Sequence, residues 1–147
     1  MKKNLFLFVS IALLSVSSYA QKPVLNHIAL YVNDLQKSTA FYKDVIGLDS
    51  VPEPFHDGKH TWLAVGDKAN LHLIAGASTI TDHDKNSHLC FSVFSVDAFI
   101  PRLKQAGIAY EDWPGKPQSI TLRVDGVKQI YFKDPDGYWV EINDARQ

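Results

Sequence analysis

Four residues of the types that hold a divalent metal recur at matched places along this chain: His27, His72, His88 and Glu141. His27 and His88 each open a short apolar run, NHIALYV and HLCFSV, with a valine five positions on. His72 and Glu141 each sit inside a later run, ANLHLIA and YWVEIN. A single strand histidine is ordinarily structural, and a single buried glutamate ordinarily pairs with a base. Two histidines at one pair of equivalent places, and a histidine and a glutamate at another, make a candidate metal site. Imidazole and carboxylate suit Zn, Ni, Co, Mn or Fe better than Mg or Ca. One such ion per site is the expected cofactor. The single cysteine, Cys90, rules out an intramolecular disulfide and a thiolate zinc cluster. Its place in an apolar run predicts a buried thiol. The other histidines, His56, His60 and His83, lie in loop-like stretches and read as surface residues.

Strands must carry these residues, because side chains alternate between two faces of a strand. Ile28, Leu30 and Val32 share one face, and His27, Ala29 and Tyr31 the other. Leu71, Leu73 and Ala75 oppose His72; Leu89, Phe91 and Val93 oppose His88, Cys90 and Ser92; Val140 and Ile142 oppose Trp139, Glu141 and Asn143. Each strand thus has an aliphatic face for a covering helix and a second face bearing one ligand-type residue. Tyr31, Cys90, Trp139 and Asn143 join the ligands by alternation. Trp62, Trp113, Arg123 and Tyr131 are further candidates to line the same cavity and contact a substrate, with packing or solvent as their ordinary alternative.

The elements repeat. A strand at 26–32 precedes a helix capped by Asp34 and ended by Gly47, then strands at 50–53, 61–65 and 71–75. A strand at 88–93 precedes a helix at 97–106 with Pro101 in or near its first turn. Strands follow at 108–112, 127–133 and 138–143, the last two joined by the Asp134-Pro135-Asp136-Gly137 turn. The expected fold is α+β, two βαβββ modules at about 24–78 and 86–145 with a polar link at 79–87. Lys2, Lys3, an apolar run at 5–16 and Ser18-Tyr19-Ala20 form the three-part pattern of a signal peptide over residues 1–20. Residues 21–147 then form a single domain, exported to the periplasm or secreted, with no membrane attachment. The 147 residues, with 46% hydrophobic and 21% charged and a net charge of -1, exclude a disordered chain and a basic nucleic-acid binder.

The motifs NHIALYVNDLQKSTAFYKDVIGL and YFKDPDGYWVEIND resemble the vicinal oxygen chelate superfamily, which includes glyoxalase I, fosfomycin-resistance proteins and extradiol dioxygenases. Its specific marks here are Ser38-x-x-Phe41-Tyr42-x-x-x-x-Gly47-Leu48 and the late DPDG before Glu141. The resemblance implies paired half-barrels around one metal. The site is shared across a homodimer in some members and lies within one chain in others. His27, His88 and Glu141 match the three common ligands. His72 departs from the family, since glyoxalase I carries Glu there and other members carry Gln or a non-ligand. By resemblance the function is a metal-dependent, glyoxalase I-like lyase or isomerase acting on a small vicinal-oxygen substrate through an enediolate-type intermediate. Glu141 is then the catalytic proton carrier. The alternatives are an extradiol-type dioxygenase, using His27, His88 and Glu141, and a non-catalytic resistance protein that sequesters a small molecule. The potassium loop and phosphonate-binding residues of the fosfomycin thiol transferases find no clear match.

Overall fold

The computed structural model describes residues 22–146, so the expected signal peptide at 1–20 lies outside the described residues. The chain starts its first sheet with β1 (His27–Val32) and turns into α1 (Leu35–Ala40). Asp34 caps that helix as the sequence suggests, its carboxylate accepting the Lys37 N–H at 3.0 Å. A π-helical segment, Phe41–Ile46, continues α1 and stops at Gly47, whose φ of 95° ordinary residues rarely adopt. Phe41, Tyr42 and Val45 of this segment are buried, and its wider turn was not visible in the sequence pattern. Strands β2 (Ser50–Val51), β3 (His60–Val65) and β4 (Ala69–Ala75) complete a sheet of order β1-β4-β3-β2, with β1 and β4 parallel.

The second module repeats the first. Strand β5 (His88–Ser92), α2 (Val96–Gln105), β6 (Thr121–Leu122), β7 (Lys128–Lys133) and β8 (Trp139–Asn143) give a sheet of order β5-β8-β7-β6, with β5 parallel to β8. The paired βαβββ architecture is therefore as expected, with three local corrections. Pro101 is the sixth residue of α2, past the first turn. There its missing N–H removes a bond to the carbonyl of Asp97, on an exposed part of the helix. The stretch 108–112 is not a strand: only Glu111 pairs, with Tyr131 and Pro117, and Trp113-Pro114-Gly115 then turns the chain away. The edge position goes instead to β6. Strand β2 is also shorter than the expected 50–53, because only Ser50 and Val51 find partners on β3.

Both sheets turn their aliphatic faces to one core. Leu30, Val32, Leu71 and Leu73 come from the first sheet, and Ile130, Phe132, Val140 and Ile142 from the second. Phe41, Tyr42, Phe99 and Leu103 of the helical segments fill the space between them. A buried polar network locks the modules together. Asp136 accepts from the Ser38 hydroxyl and from the Asn33 N–H at 2.6 Å. Asp134 accepts from the Tyr42 hydroxyl at 2.7 Å and from the Asp136 and Tyr138 N–H groups at 2.9 Å. The two sequence motifs singled out above, the Ser38–Tyr42 helix and the DPDG turn, therefore bond to each other. The opposite faces of the sheets, bearing His27, Tyr31, Cys90 and Ser92, open away from this core. No helix among the described residues is long and apolar enough to cross a membrane.

Candidate metal centre

Strand register places the ligand-type residues in matched pairs. Ala29 lies opposite His72, and Cys90 opposite Glu141, so His27/His72 and His88/Glu141 occupy the same relative positions on their two sheets. Trp62 lies beside His72 as Tyr131 lies beside Glu141. In the first half, the His72 ring is sandwiched between His27 and Trp62. Its centroid is 4.2 Å from His27 and 4.0 Å from Trp62, and both stacks are within 5° of parallel. His72 is buried, and its Nε2 is buried without any hydrogen-bond partner. Burial foremost, then the charges of His27 and His60, holds its pKa below the usual imidazole value. A buried imidazole nitrogen with no partner in the chain calls for one from outside it, and a metal ion fits that requirement.

In the second half, His88 Nε2 stands 3.1 Å from Glu141 Oε2. His88 Nδ1 meets the Lys85 carbonyl at 2.7 Å. A carbonyl only accepts, so Nδ1 carries a proton and Nε2 is left to face the carboxylate, with a proton or a cation shared between them. Donor bonds of about 2.0–2.2 Å to one zinc-like ion span such a gap. Glu141 also accepts from Tyr131 (2.7 Å), Asn143 (2.8 Å) and, weakly, the Cys90 thiol (3.4 Å). Burial alone pushes its pKa up, but these hydrogen bonds outweigh it and hold the carboxyl below its ordinary range. The donor chemistry of both pairs fits a divalent transition metal.

Within one chain the two pairs stay apart. No group of three or more His, Cys, Asp or Glu side chains converges on a metal position among the described residues. Of the other expected residues, Tyr131 and Arg123 line a cleft of about 500 Å3 with His88 and Glu141. Arg123 pairs there only with Asp125, at 2.6 Å. Trp113 lines the same cleft. Trp62 stacks on His72, and Tyr31 is exposed on the His27 face. Trp139 spends its indole N–H on the His83 carbonyl, and Asn143 is buried as an orienting group for Glu141.

Cys90 corrects an expectation: it is exposed, because the ligand-bearing face opens outward. Its sulfur nonetheless tucks against Glu141 and Asn143, and burial there, with the Glu141 charge, pushes the thiol to about 12. His60 belongs to β3 and is half-buried, its Nδ1 2.9 Å from Asp57, so only His56 is the open surface histidine expected. His83 stacks on Tyr138 at 4.0 Å. Sequence reasoning missed Gln129, a buried neighbour that donates to the Tyr131 hydroxyl; its place two residues before Tyr131 was the available signal.

Comparison with known proteins adds to this geometry. A family model described as Glyoxalase/Bleomycin resistance protein/Dioxygenase superfamily matches residues 24–142. The chain is 30% identical over 124 residues to metallothiol transferase FosB of Staphylococcus epidermidis, covering 80% of this chain and 79% of that protein. It is 34% identical over 132 residues to the mitochondrial methylmalonyl-CoA epimerase of Mus musculus, covering 82% and 72%. Among solved structures, the fosfomycin resistance protein FosX of Listeria monocytogenes superposes with a TM-score of 0.68 at 24% identity, covering 86% of this chain and 96% of that one.

Proposed function

The chain belongs to the Glyoxalase/Bleomycin resistance protein/Dioxygenase superfamily, and from that premise we propose that it is a divalent-metal-dependent lyase or isomerase of the glyoxalase kind. It acts on a small molecule with neighbouring oxygens. The observation that carries this reading is the orphaned, buried Nε2 of His72, stacked against His27 on the face equivalent to that of His88 and Glu141. His27 and His72 of one copy and His88 and Glu141 of a second would hold the ion, because the pairs do not meet within one chain. Leu122 and Val124 stand exposed at the rim of the Glu141 cleft, and Tyr31 and Phe55 are exposed on the outer part of the first module. Apolar surface so placed suits a second copy of the same chain. The names of the relatives, a metallothiol transferase and an epimerase, accord with enzymatic use of such a site.

When bound, the metal would supply Lewis-acid stabilisation of a developing oxyanion. The chain's own residues do the rest. Tyr131 and Asn143 hold Glu141 ionised, ready to accept a proton next to a substrate carbonyl once one of its contacts loosens. Arg123, exposed in the cleft with only Asp125 for a partner, meets an anionic substrate group. The Trp62–His72–His27 stack holds the His72 ring in place on the first module. A second reading is oxygen-dependent oxidation. For it His27, His88 and Glu141 would supply a two-histidine, one-carboxylate face, and it is favoured by that carboxylate being tied up by three hydrogen bonds and so a weak base.

Elemental analysis of the exported protein, its N-terminus read by mass spectrometry at Gln21, tests the proposal beside His72→Ala and Glu141→Ala. Near-stoichiometric Zn, Ni, Co, Mn or Fe that both variants lose is the expected result. Metal-free protein even after reconstitution would leave the sequestering role as the better account. Iron with substrate-dependent oxygen uptake would select the oxidative reading.

A further inference from the structure

Lys85 lies in the link between the modules, yet its side chain is only 17% exposed. The ammonium pairs with Glu111 and donates to the carbonyls of Asp112 (3.3 Å) and Trp113 (3.2 Å). It also lies over the rings of Trp139 (4.7 Å), Tyr131 (5.6 Å) and Trp113 (5.9 Å). The same residue's main-chain carbonyl accepts from His88 Nδ1. Its side-chain partner Glu111 exchanges both backbone hydrogen bonds, each 2.9 Å, with Tyr131, whose phenol holds Glu141. One lysine therefore reaches both ligand-type residues of the second half by separate routes, without touching either with its charge.

We infer that Lys85 is a positioning residue for the half-site: its caged ammonium fixes the link so that its own carbonyl holds the Nδ1–H of His88 and turns Nε2 towards Glu141 and the proposed metal. This rests on the metal-site reading above for its purpose, but its structural claim stands apart from it. A carbonyl on an unanchored polar link would sample many positions. The imidazole would then lose its orienting acceptor, which is the kind of outer partner whose removal weakens metal affinity 10–100-fold. The substitution Lys85→Arg would keep the charge and the ring contacts, and so would keep most of the effect.

The test is proton–nitrogen NMR of the imidazole N–H groups in the metal-free full chain. The His88 signal is assigned by its loss in His88→Gln. Wild type is expected to show a hydrogen-bonded, slowly exchanging proton on His88 Nδ1, whatever Nε2 holds. Lys85→Met, and independently Glu111→Gln, should speed its exchange with water, and Lys85→Arg should restore its protection. Lys133→Met removes the other ammonium over Trp139 (4.9 Å) and should leave that protection unchanged. Zinc affinity, by chelator competition, should fall about tenfold in Lys85→Met and Glu111→Gln alone. An equally protected Nδ1 proton in both variants would overturn the inference. Failure of wild type to bind any metal would instead remove the metal reading, with the Nδ1 proton still deciding the role of Lys85.

Discussion

Glu141 accepts from Tyr131, Asn143 and Cys90 at once, and this explains why a buried carboxyl stays below its usual pKa. Removing the Tyr131 hydroxyl takes away the shortest of those bonds and lets burial dominate. Tyr131→Phe should therefore raise the Glu141 pKa towards or above the ordinary carboxylate range and weaken zinc binding about 10-fold or more. The affinity should also be lost at a higher pH on acidification than in wild type, because protons then compete for a more basic ligand. Chelator-competition titrations at several pH values measure both effects. An unchanged affinity would mean that the phenol serves packing alone. The matched ligand pairs were legible from alternation and repetition. The orphaned Nε2 of His72 and the exposure of Cys90 were not, since both depend on which face of each sheet the shared core covers.

At the scale of elements, the contact between α1 with its π-helical continuation and the β7–β8 turn holds the modules in place. Tyr42→Phe leaves one oxygen of buried Asp134 short of a donor and should cost about 1–3 kcal/mol. The Tyr42 phenol also gives this contact a pH dependence. Burial foremost, then the charge and hydrogen bond of Asp134, raises its pKa well above that of a free tyrosine. The folded state thus keeps a proton that the unfolded chain releases above about pH 10. Its stabilising contribution is fully present below that pH and is lost as pH climbs from there towards the folded-state value. Urea melts should show wild type losing stability more steeply above about pH 10 than Tyr42→Phe does. Equal slopes would contradict the role given to the phenol. The Ser38–Tyr42 and DPDG motifs were visible in the sequence, but not that they bond to one another. The π-helical segment, the short β2 and the reduction of 108–112 to the single bridging residue Glu111 were also hidden, because each is decided by partners distant in sequence.

At the scale of the molecule, two half-sites face outward from one core, so the proposed active unit is a pair of chains. Repetition made the modules legible, while their back-to-back packing became apparent only from the shared core of Leu30, Leu73, Ile130 and Phe132. The most direct measurement is metal content after subunit mixing. His72→Ala damages only the first half and Glu141→Ala only the second, so each variant alone should bind little metal. Unfolding and refolding the two together forms mixed dimers. If sites are shared between chains, each mixed dimer regains one intact site, built from the undamaged half of each partner. Shared sites predict metal in the mixed dimers, isolated by distinct affinity tags, and none in either parent. Mixed dimers as empty as their parents, or a chain that stays monomeric by light scattering while holding metal, would contradict them.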